Sequence, residues 1–291
     1  MQHNKNIPSV DITPCLSIKR SHGLGNVICL LPVLDRLHEE GYRINVFTRP
    51  EWIHAFSVLH SAFYWSAADC PDDAIDLDEL TCGLTPTEHR TDEFAHLLGV
   101  GCPFSSARLH IPEVWTKPFE RFRGGIVFAP EGGHPSRCWP TEQAARLFNY
   151  INGDKLILVG THTEPEIPCH FDLRGRLELH ELFGLLAVAG VVVTMDSAVL
   201  HIAAALDVPT VAIFGGVNPG FRVRQDQHVV AITAKMDCCP CNKDESCAGG
   251  YPCINAAQPE DIAKTIELAR SINSRVIYQV PFTPNRTMLA G

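Results

Sequence analysis

The stretch of sequence that decides the fold is residues 191–215, which read VVVTMDSAVLHIAAALDVPTVAIFG. An apolar, mostly β-branched run opens it and predicts a buried strand over residues 191–195. A short polar turn follows, then a helix rich in small residues over 197–206 and a second apolar strand over 210–214. Strand, helix and strand at this spacing form a βαβ unit, which requires a parallel sheet.

The turn inside this stretch, Asp196-Ser197-Ala198, predicts a binding site for a diphosphate. A helix that begins directly after a strand leaves the N–H groups of its first turn unpaired, and its dipole favours an anion there. Ser197 adds a hydroxyl donor, Ala198 lets the backbone approach a ligand, and Asp196 caps the helix or holds a sugar hydroxyl. The spacing alone equally allows Asp196 to be only a helix cap and His201 only a helix residue.

Strand and helix patterns alternate over most of the chain and predict an α/β fold of two Rossmann-like domains facing a cleft. A chain of 291 residues is too long for one comfortable core. In doubly wound sheets, ligands bind beyond the carboxyl ends of the strands. The predicted units are an N-terminal Rossmann-like domain over residues 1–117, a linker over 112–123, a C-terminal Rossmann-like domain over 123–273 and a tail over 274–291, with loops over 67–84.

Composition and charge narrow the class of protein. Hydrophobic residues make up 45% of the chain and charged residues 20%, which is the balance of a globular protein. A net charge of -9 argues against nucleic acid as a partner. The apolar runs are too short for a membrane span and the N-terminus lacks a signal pattern, so we expect a cytoplasmic protein and leave open a peripheral membrane contact.

A second ligand-approaching turn is predicted near the N-terminus, at residues 22–26 (HGLGN). It follows a predicted strand over residues 15–19 and opens a helix. Gly23 and Gly25 permit backbone torsions and close approaches that other residues do not. The full dinucleotide-binding fingerprint is absent, so this glycine pair is a weak signal by itself.

Four blocks of the sequence together resemble glycosyltransferase family 9, the bacterial heptosyltransferases. Residues 195–219, MDSAVLHIAAALDVPTVAIFGGVNP, are similar to the family signature. The other three blocks, in chain order, are GLGNVICLLPVLDRLHEE with INVFTRPEW, then APEGGHPSRCWPTEQAARL, then DLRGRLELHELFGLLAVAGVVVT. The blocks occur in the family's order from about residue 18 to residue 266, so the set is specific although each block alone is weak.

The resemblance implies a GT-B fold and inverting, metal-independent glycosyl transfer with no cofactor for catalysis. It places the nucleotide sugar mainly on the C-terminal domain and the acceptor on the shorter N-terminal domain. Asp196, Ser197 and Ala198 match the positions that hold the diphosphate and the sugar, with His201 beside them. Gly23 and Gly25 match the turn that faces the substrates.

Two further residues of the donor site follow from the resemblance. Arg137, two residues before Trp139-Pro140, matches the Lys or Arg that neutralises the phosphates. A guanidinium suits this role because it grips phosphate oxygens with two parallel hydrogen bonds; the alternative is a surface arginine. Glu164 falls where the family binds the ribose of the nucleoside.

The glycine turn departs from the family at the residue after its second glycine. The family has an aspartate there, which serves as the base that deprotonates the acceptor hydroxyl, whereas this chain has Asn26. A neutral amide orients a hydroxyl but cannot accept its proton. His22 is the nearest substitute because a histidine side chain, unlike an amide, can accept a proton. Asn26 and His22 are therefore the candidate catalytic residues, and the alternative for His22 is a loop histidine with no catalytic role.

A cysteine-rich loop covers residues 238–253. Cys238, Cys241, Cys247 and Cys253 supply four thiols that suit tetrahedral zinc or a single iron ion. Only the first spacing is the usual two-residue knuckle, and many family members carry a similar cluster. We predict a structural metal clip, with free thiols or disulfides as the alternative.

The leading functional hypothesis is an inverting glycosyltransferase that uses a nucleotide-diphosphate sugar, with ADP-heptose favoured. The acceptor would be a hydroxyl of a glycan, a lipid-linked molecule or a protein, and the resemblance points to lipopolysaccharide biosynthesis. The alternative is a catalytically weak or inactive nucleotide-sugar-binding protein of the same fold. A third hypothesis, a nucleotide-sugar epimerase, requires a set of cleft carboxylates or histidines that the sequence does not reveal.

Overall fold

The computed structural model describes residues 13–151, 153–242, 247 and 249–281. The first twelve residues of the predicted N-terminal domain and the last ten of the predicted tail lie outside this range. The strands of the described part form two parallel sheets, one in each half of the chain. No helix in the same part is both long enough and apolar enough to cross a membrane.

The N-terminal half folds around a four-stranded sheet in the order β3-β2-β1-β4. Its strands are β1 (Cys15–Lys19), β2 (Arg43–Phe47), β3 (Tyr64–Ser66) and β4 (Ile75–Asp76). Its helices are α1 (Leu24–Glu39), α2 (Pro50–Leu59), α3 (Leu77–Leu80) and α4 (Arg90–Leu97). Helix α1 joins the parallel neighbours β1 and β2, so the strand predicted over residues 15–19 and the helix predicted after the glycine turn form part of a βαβ unit.

The C-terminal half folds around a seven-stranded sheet in the order β11-β10-β9-β8-β5-β6-β7. Its strands are β5 (Ile126–Ala129), β6 (Leu156–Leu158), β7 (Phe171–Asp172), β8 (Val191–Met195), β9 (Thr210–Ile213), β10 (Val229–Lys235) and β11 (Val276–Pro281). Its α-helices are α5 (Glu113–Thr116), α6 (Thr141–Leu147), α7 (Leu179–Val188), α8 (Ala198–Ala205), α9 (Pro252–Ala256) and α10 (Pro259–Ser271). Short 3₁₀ helices cover Lys117–Phe122, Pro135–Arg137, Phe148–Tyr150 and Pro219–Phe221.

The order of the larger sheet reverses between β5 and β8. From β5 the chain builds outward through β6 to β7, then returns to β8 and builds the other way to β11. All five residues of β8 are buried, because the strand lies between β5 and β9 and has helices on both faces. The carboxyl ends of β5 and β8 therefore flank the switch point, where a doubly wound sheet binds its ligand.

One hydrophobic core cluster continues from the N-terminal half into the C-terminal half. It includes Ile18 and Leu30 on one side and Val127, Val192 and Ile202 on the other, all of them almost fully buried. Helix α1 packs against α8, so the first helix of one sheet contacts the helix that follows the central strand of the other. The two halves are thus held against each other by apolar contacts.

The segment predicted as a linker, residues 112–123, is a packed element. It forms α5 and the 3₁₀ helix Lys117–Phe122, which lie against α7. Trp115 and Phe122 are buried in the shared core. Prolines and charged residues made this segment resemble a loop, but its aromatic residues need burial and determine where it lies.

Other segments also differ from the sequence prediction. The region predicted as loops, residues 67–84, contains β4 and α3, and Asp76 caps α3 by accepting from the N–H groups of Asp78 and Glu79. Helix α6 ends at Leu147, and its N-cap residue is Pro140. The predicted tail begins with β11, which pairs in parallel with β10 along the edge of the larger sheet.

His60 gives the fold a measurable pH dependence. Its ring stacks on Phe63 after α2, and burial lowers the pKa of His60 to about 4. The unfolded chain binds a proton near pH 6.5 whereas the folded chain stays neutral, so stability that is present above pH 6.5 is lost as the pH falls towards 4. We expect His60→Gln to remove about 2 kcal/mol of the stability loss between pH 7 and pH 5, measured by urea unfolding. The exposed His110→Gln is the control, and a variant at His60 with the wild-type loss would contradict this reasoning.

Candidate functional site

The turn after β8 lies at the carboxyl end of the central strand. Ser197 is the N-cap residue of α8, and its side chain makes no bond to the helix; its hydroxyl lies 3.1 Å from the hydroxyl of Thr194. Asp196 is 3% exposed and accepts a hydrogen bond from Arg222 Nε at 3.4 Å. Asp196 therefore pairs with an arginine and is not the N-cap residue of α8. The anion site at the first-turn N–H groups of α8 stays a prediction.

His201 lies one turn further along α8 and contacts the N-terminal half. A Cβ atom at Gly25 would lie 2.3 Å from His201 Cδ2, so the imidazole occupies the space that a side chain at residue 25 would fill. His201 Nδ1 lies 3.5 Å from Cys29 Sγ, which is one turn along α1 from Gly25. Burial lowers the pKa of His201 to about 4. The positive charge of Arg222 also lowers this pKa, whereas the negative charge of Asp196 raises it. The ring is neutral at neutral pH.

A cleft of about 830 Å³ opens between the two halves; we call it the interlobe cleft. Leu24 and Trp52 line it from the N-terminal half, and Glu131, Ser197 and Ala198 line it from the C-terminal half. The last three follow β5 and β8, so the cleft lies at the switch point of the larger sheet. This volume is in the range of small-molecule sites.

A second hollow of about 540 Å³ adjoins the interlobe cleft; we call it the side hollow. Both are lined by Glu131, Gly132, Thr161 and His162. The predicted ribose-binding residue, Glu164, lines the side hollow and not the interlobe cleft. A ligand with two parts could thus extend from the β8–α8 turn across Glu131 towards Glu164.

Arg137 lies at the end of the 3₁₀ helix Pro135–Arg137, beside the wall of both cavities. A Cβ at Gly132 would lie 2.7 Å from the Cβ of Arg137, so this glycine lets the arginine segment pack against the loop that follows β5. The neighbouring Trp139 is buried and donates from Nε1 to the carbonyl of Ala257 at 3.0 Å, which anchors the segment. The charge of Arg137 is close enough to contribute to the lowered pKa of His201.

The loop that carries Glu164 is held by Arg174, to which the sequence assigned no role. Arg174 is 1% exposed, donates from Nη1 to the carbonyl of Pro165 at 2.9 Å and pairs with Asp172 at 2.8 Å. The hydrogen bond to Asp172 raises the pKa of Arg174. The arginine was visible in the DLRGR block, but its contact with a loop nine residues upstream was not.

Glu131 and His162 are site residues that the sequence analysis missed. Glu131 Oε2 lies 3.2 Å from His162 Nδ1, and both side chains stand on the border between the interlobe cleft and the side hollow. The sequence offers one indication that these residues lie near a ligand site: Glu131 follows the end of β5 and His162 follows the end of β6, and both strands are parallel.

The glycine turn of the N-terminal half faces the same region. Gly23 precedes α1 with a φ of 74°, and Asn26 Nδ2 donates to the carbonyl of His22 at 3.3 Å. Leu24 lines the interlobe cleft and Gly25 contacts His201. The turn therefore stands opposite the start of α8.

A carboxylate that the sequence did not reveal lies beneath this turn. Asp78, at the start of α3, accepts hydrogen bonds from the N–H and hydroxyl of Ser21 at 2.8 and 2.6 Å and from the N–H of His22 at 3.0 Å. His22 Nδ1 also lies 3.3 Å from Asp78 Oδ2. Burial acts to raise the pKa of Asp78, but these bonds and the charge of Arg20 hold it below its ordinary value. Asp78 is ionised at neutral pH and orients His22.

The structure does not bring the four predicted metal-binding thiols together. Within the described residues, no group of three or more His, Cys, Asp or Glu side chains is placed to hold a metal ion. Helix α9 packs beside β10, which brings Cys253 to Cys239. The hydrogen bond between the two thiols lowers the pKa of Cys253 to about 7 and raises that of Cys239. Residues 243–246 and 248 of the loop lie outside the described range, and the metal clip over Cys238, Cys241, Cys247 and Cys253 stays a prediction.

The contact between Gly25 and His201 can be tested directly. Gly25→Ala forces the imidazole to move, and such overpacking costs about 1–3 kcal/mol of unfolding free energy, offset by up to about 1 kcal/mol of helix propensity. Gly101→Ala is the matched control, because a Cβ there meets nothing within 4 Å. Denaturant unfolding of both variants measures the difference, and equal stabilities would show that the two halves do not meet at this point.

Comparisons with known proteins agree with this architecture. The family model of glycosyltransferase family 9 (heptosyltransferase) matches residues 104–251, half of the chain. Lipopolysaccharide heptosyltransferase 1 of Pseudomonas aeruginosa is 34% identical over 137 residues, which cover 46% of this chain and 33% of that protein. The chain spans about a third of the length of the curated relatives it matches.

Two solved structures show the same fold. The glycosyl transferase family 9 protein of Veillonella parvula superposes with a TM-score of 0.70 at 17% identity, covering 89% of this chain and 97% of that one. The dodecameric iron-containing heptosyltransferase TibC, in complex with ADP-D-β-D-heptose, gives a TM-score of 0.69 at 16% identity, covering 88% of this chain and 76% of that one. These matches confirm the GT-B arrangement of two parallel sheets facing a cleft, and the chain belongs to glycosyltransferase family 9, the heptosyltransferases.

Proposed function

We propose that this chain transfers a sugar from a nucleotide-diphosphate donor, ADP-heptose in preference, to a hydroxyl group of an acceptor, with inversion at the anomeric carbon. The observation that carries the proposal is the position of Ser197 and Ala198. They begin α8 at the switch point of the larger sheet and line the interlobe cleft opposite the glycine turn. The structural neighbour TibC holds ADP-D-β-D-heptose, and its resemblance in fold supports the same class of donor.

The donor extends from the β8–α8 turn towards the side hollow. The N–H groups and dipole of α8 bind the diphosphate, and Arg137 neutralises its charge from beside Gly132. Glu164 binds the ribose hydroxyls in the side hollow, on a loop that Arg174 holds in place. These groups are fixed before the reaction, so they stabilise the charge that develops on the departing diphosphate.

The acceptor hydroxyl is activated at the glycine turn. Asn26 cannot accept a proton, but His22 can. Its Nδ1 lies 3.3 Å from Asp78 Oδ2, and a proton on Nδ1 facing that carboxylate leaves the free lone pair on Nε2. The acceptor oxygen forms a bond to the anomeric carbon while the bond from that carbon to the diphosphate oxygen breaks. The hydroxyl proton passes to His22 Nε2. Asn26 orients the hydroxyl.

Loss of the Arg137 guanidinium tests the donor site. We expect Arg137→Ala to raise the Kd of ADP about 10- to 100-fold in calorimetry, because a hydrogen bond to a charged group contributes about 1.5–3 kcal/mol. The affinity for adenosine, which has no phosphates, should stay unchanged. Arg146→Ala is the matched control, since this arginine lies on the next helix and pairs with Glu260.

A different pattern would overturn the donor site. If Arg137→Ala weakened adenosine and ADP equally, the arginine would act on the fold and not on the phosphates. If wild-type protein bound none of ADP, GDP and UDP, the proposed donor chemistry would be wrong.

Replacement of His22 tests the catalytic step. We expect His22→Ala to lower the rate of ADP release from ADP-heptose with water as acceptor by about 10²–10⁴-fold, the usual contribution of a general base, without changing the Kd of ADP. The exposed His110→Ala is the control. Asn26→Asp should not raise the rate, because its carboxylate would face the carbonyl of His22 that Asn26 Nδ2 now contacts.

The competing hypothesis of an inactive nucleotide-sugar-binding protein predicts the reverse. In that case His22→Ala would leave a very low rate unaltered, and Asn26→Asp would raise it well above wild type. Both measurements use the same assay, so they separate the two hypotheses in one series.

A further inference from the structure

We infer that Cys29 is a positioning residue for His201, holding its imidazole in the tautomer whose Nε2–H points to the bound donor. The consequence for donor binding rests on the proposed function, whereas the positioning itself does not. Cys29 belongs to the N-terminal half and His201 to the C-terminal half, so the inference also assigns a role to the contact between them.

Gly25 and Cys29 hold the imidazole of His201 between them. Gly25 and Cys29 are one turn apart on α1 and therefore face the same side. The missing side chain of Gly25 accommodates the ring carbon Cδ2, and Cys29 Sγ lies 3.5 Å from Nδ1. Cys29 is 5% exposed, and its backbone carbonyl accepts from the hydroxyl of Thr91 at 2.8 Å, which ties this turn of α1 to α4.

The protonation states of the two side chains, together with their strengths as acceptors, decide which one donates in the hydrogen bond between Cys29 and His201. Burial raises the pKa of the Cys29 thiol to about 11, so the thiol keeps its proton. Burial lowers the pKa of His201 to about 4, so the ring is neutral and has one donor nitrogen and one acceptor nitrogen. The thiol is the donor and Nδ1 the acceptor, because sulfur is the weaker acceptor of the two. The ring proton is then on Nε2.

Arginines from both halves help to keep the ring neutral. Arg222 and Arg90 lower the pKa of His201, and Asp196 opposes them. Arg222 pairs with Asp196, so that carboxylate is already engaged. The structure gives Nδ1 its contact with Cys29, and we assign the proton on Nε2 to an oxygen of the diphosphate or the sugar. His201 thus acts as a neutral donor and not as a base.

Nitrogen NMR of the histidine rings tests the positioning without any ligand. Two-bond correlation spectra separate the two neutral tautomers, and His201→Gln identifies the His201 signals among the 14 histidines. Wild type should show the Nε2–H tautomer alone at pH 7. Cys29→Ala, which removes the donor, should show a mixture of both tautomers. Cys29→Ser, which differs from it by one hydroxyl donor, should restore the Nε2–H form.

Calorimetry with ADP then measures the effect on the donor site. Loss of one oriented hydrogen bond corresponds to a rise in Kd of about two- to tenfold for Cys29→Ala, with most of the affinity recovered in Cys29→Ser. Val33→Ala shortens a buried side chain on the next turn of α1 and controls for the packing that Cys29→Ala loses. It should lower the melting temperature without altering the tautomer or the relative Kd.

The outcomes separate this inference from the proposed function. A wild-type ring in the Nδ1–H form, or a Cys29→Ala spectrum identical to wild type, overturns the inference. A wild-type protein with the Nε2–H tautomer that does not bind ADP overturns the proposed donor chemistry and leaves the positioning intact.

Discussion

The close approach of two helices at Gly25 is the constraint on which the rest of the site depends. The imidazole of His201 fills the space that a side chain at residue 25 would need, 2.3 Å from its Cδ2 atom. Helix α1 begins at the glycine turn and α8 begins at Ala198, so a contact near the start of both helices aims both turns into one cleft. A larger residue at position 25 would separate the halves and open the apolar core that they share.

Ion pairs surround this contact and set its electrostatics. Arg222 pairs with Asp196 within the C-terminal half at 3.4 Å, and Arg224 reaches across to Asp92 of the N-terminal half at 2.7 Å. Pairs this deeply buried add little net stability, because the loss of hydration offsets their attraction, but each fixes the orientation of two side chains. Burial keeps His201 neutral and the charge of Arg222 adds to the effect, so the ring adds no positive charge at neutral pH.

Local patterns in the sequence predict the elements that need no distant partner. Residues 191–215 contain strand, turn, helix and strand in one run, and the structure forms each of them there. The pairs His22–Asp78 and Asp196–Arg222 are separated by 56 and 26 residues, and no periodicity links residues so far apart. The prediction of a linker over residues 112–123 was wrong because its aromatic residues are buried against α7, which lies more than 50 residues further along the sequence.

The role that we propose for the glycine turn depends on where the turn carries its negative charge. An aspartate in place of Asn26 would set a carboxylate against the carbonyl of His22, to which the amide now donates at 3.3 Å. The carboxylate of the turn lies instead beneath it, on Asp78, where Ser21 and His22 supply three hydrogen-bond donors and the pKa is held low. The side chain of Asp78 is 6% exposed and lies 3.3 Å from His22 Nδ1, so the role that we propose for it is to orient the imidazole of His22. In the proposed mechanism, a buried carboxylate with an exposed histidine takes the place of a single exposed carboxylate, on the wall of the cleft opposite the proposed diphosphate turn.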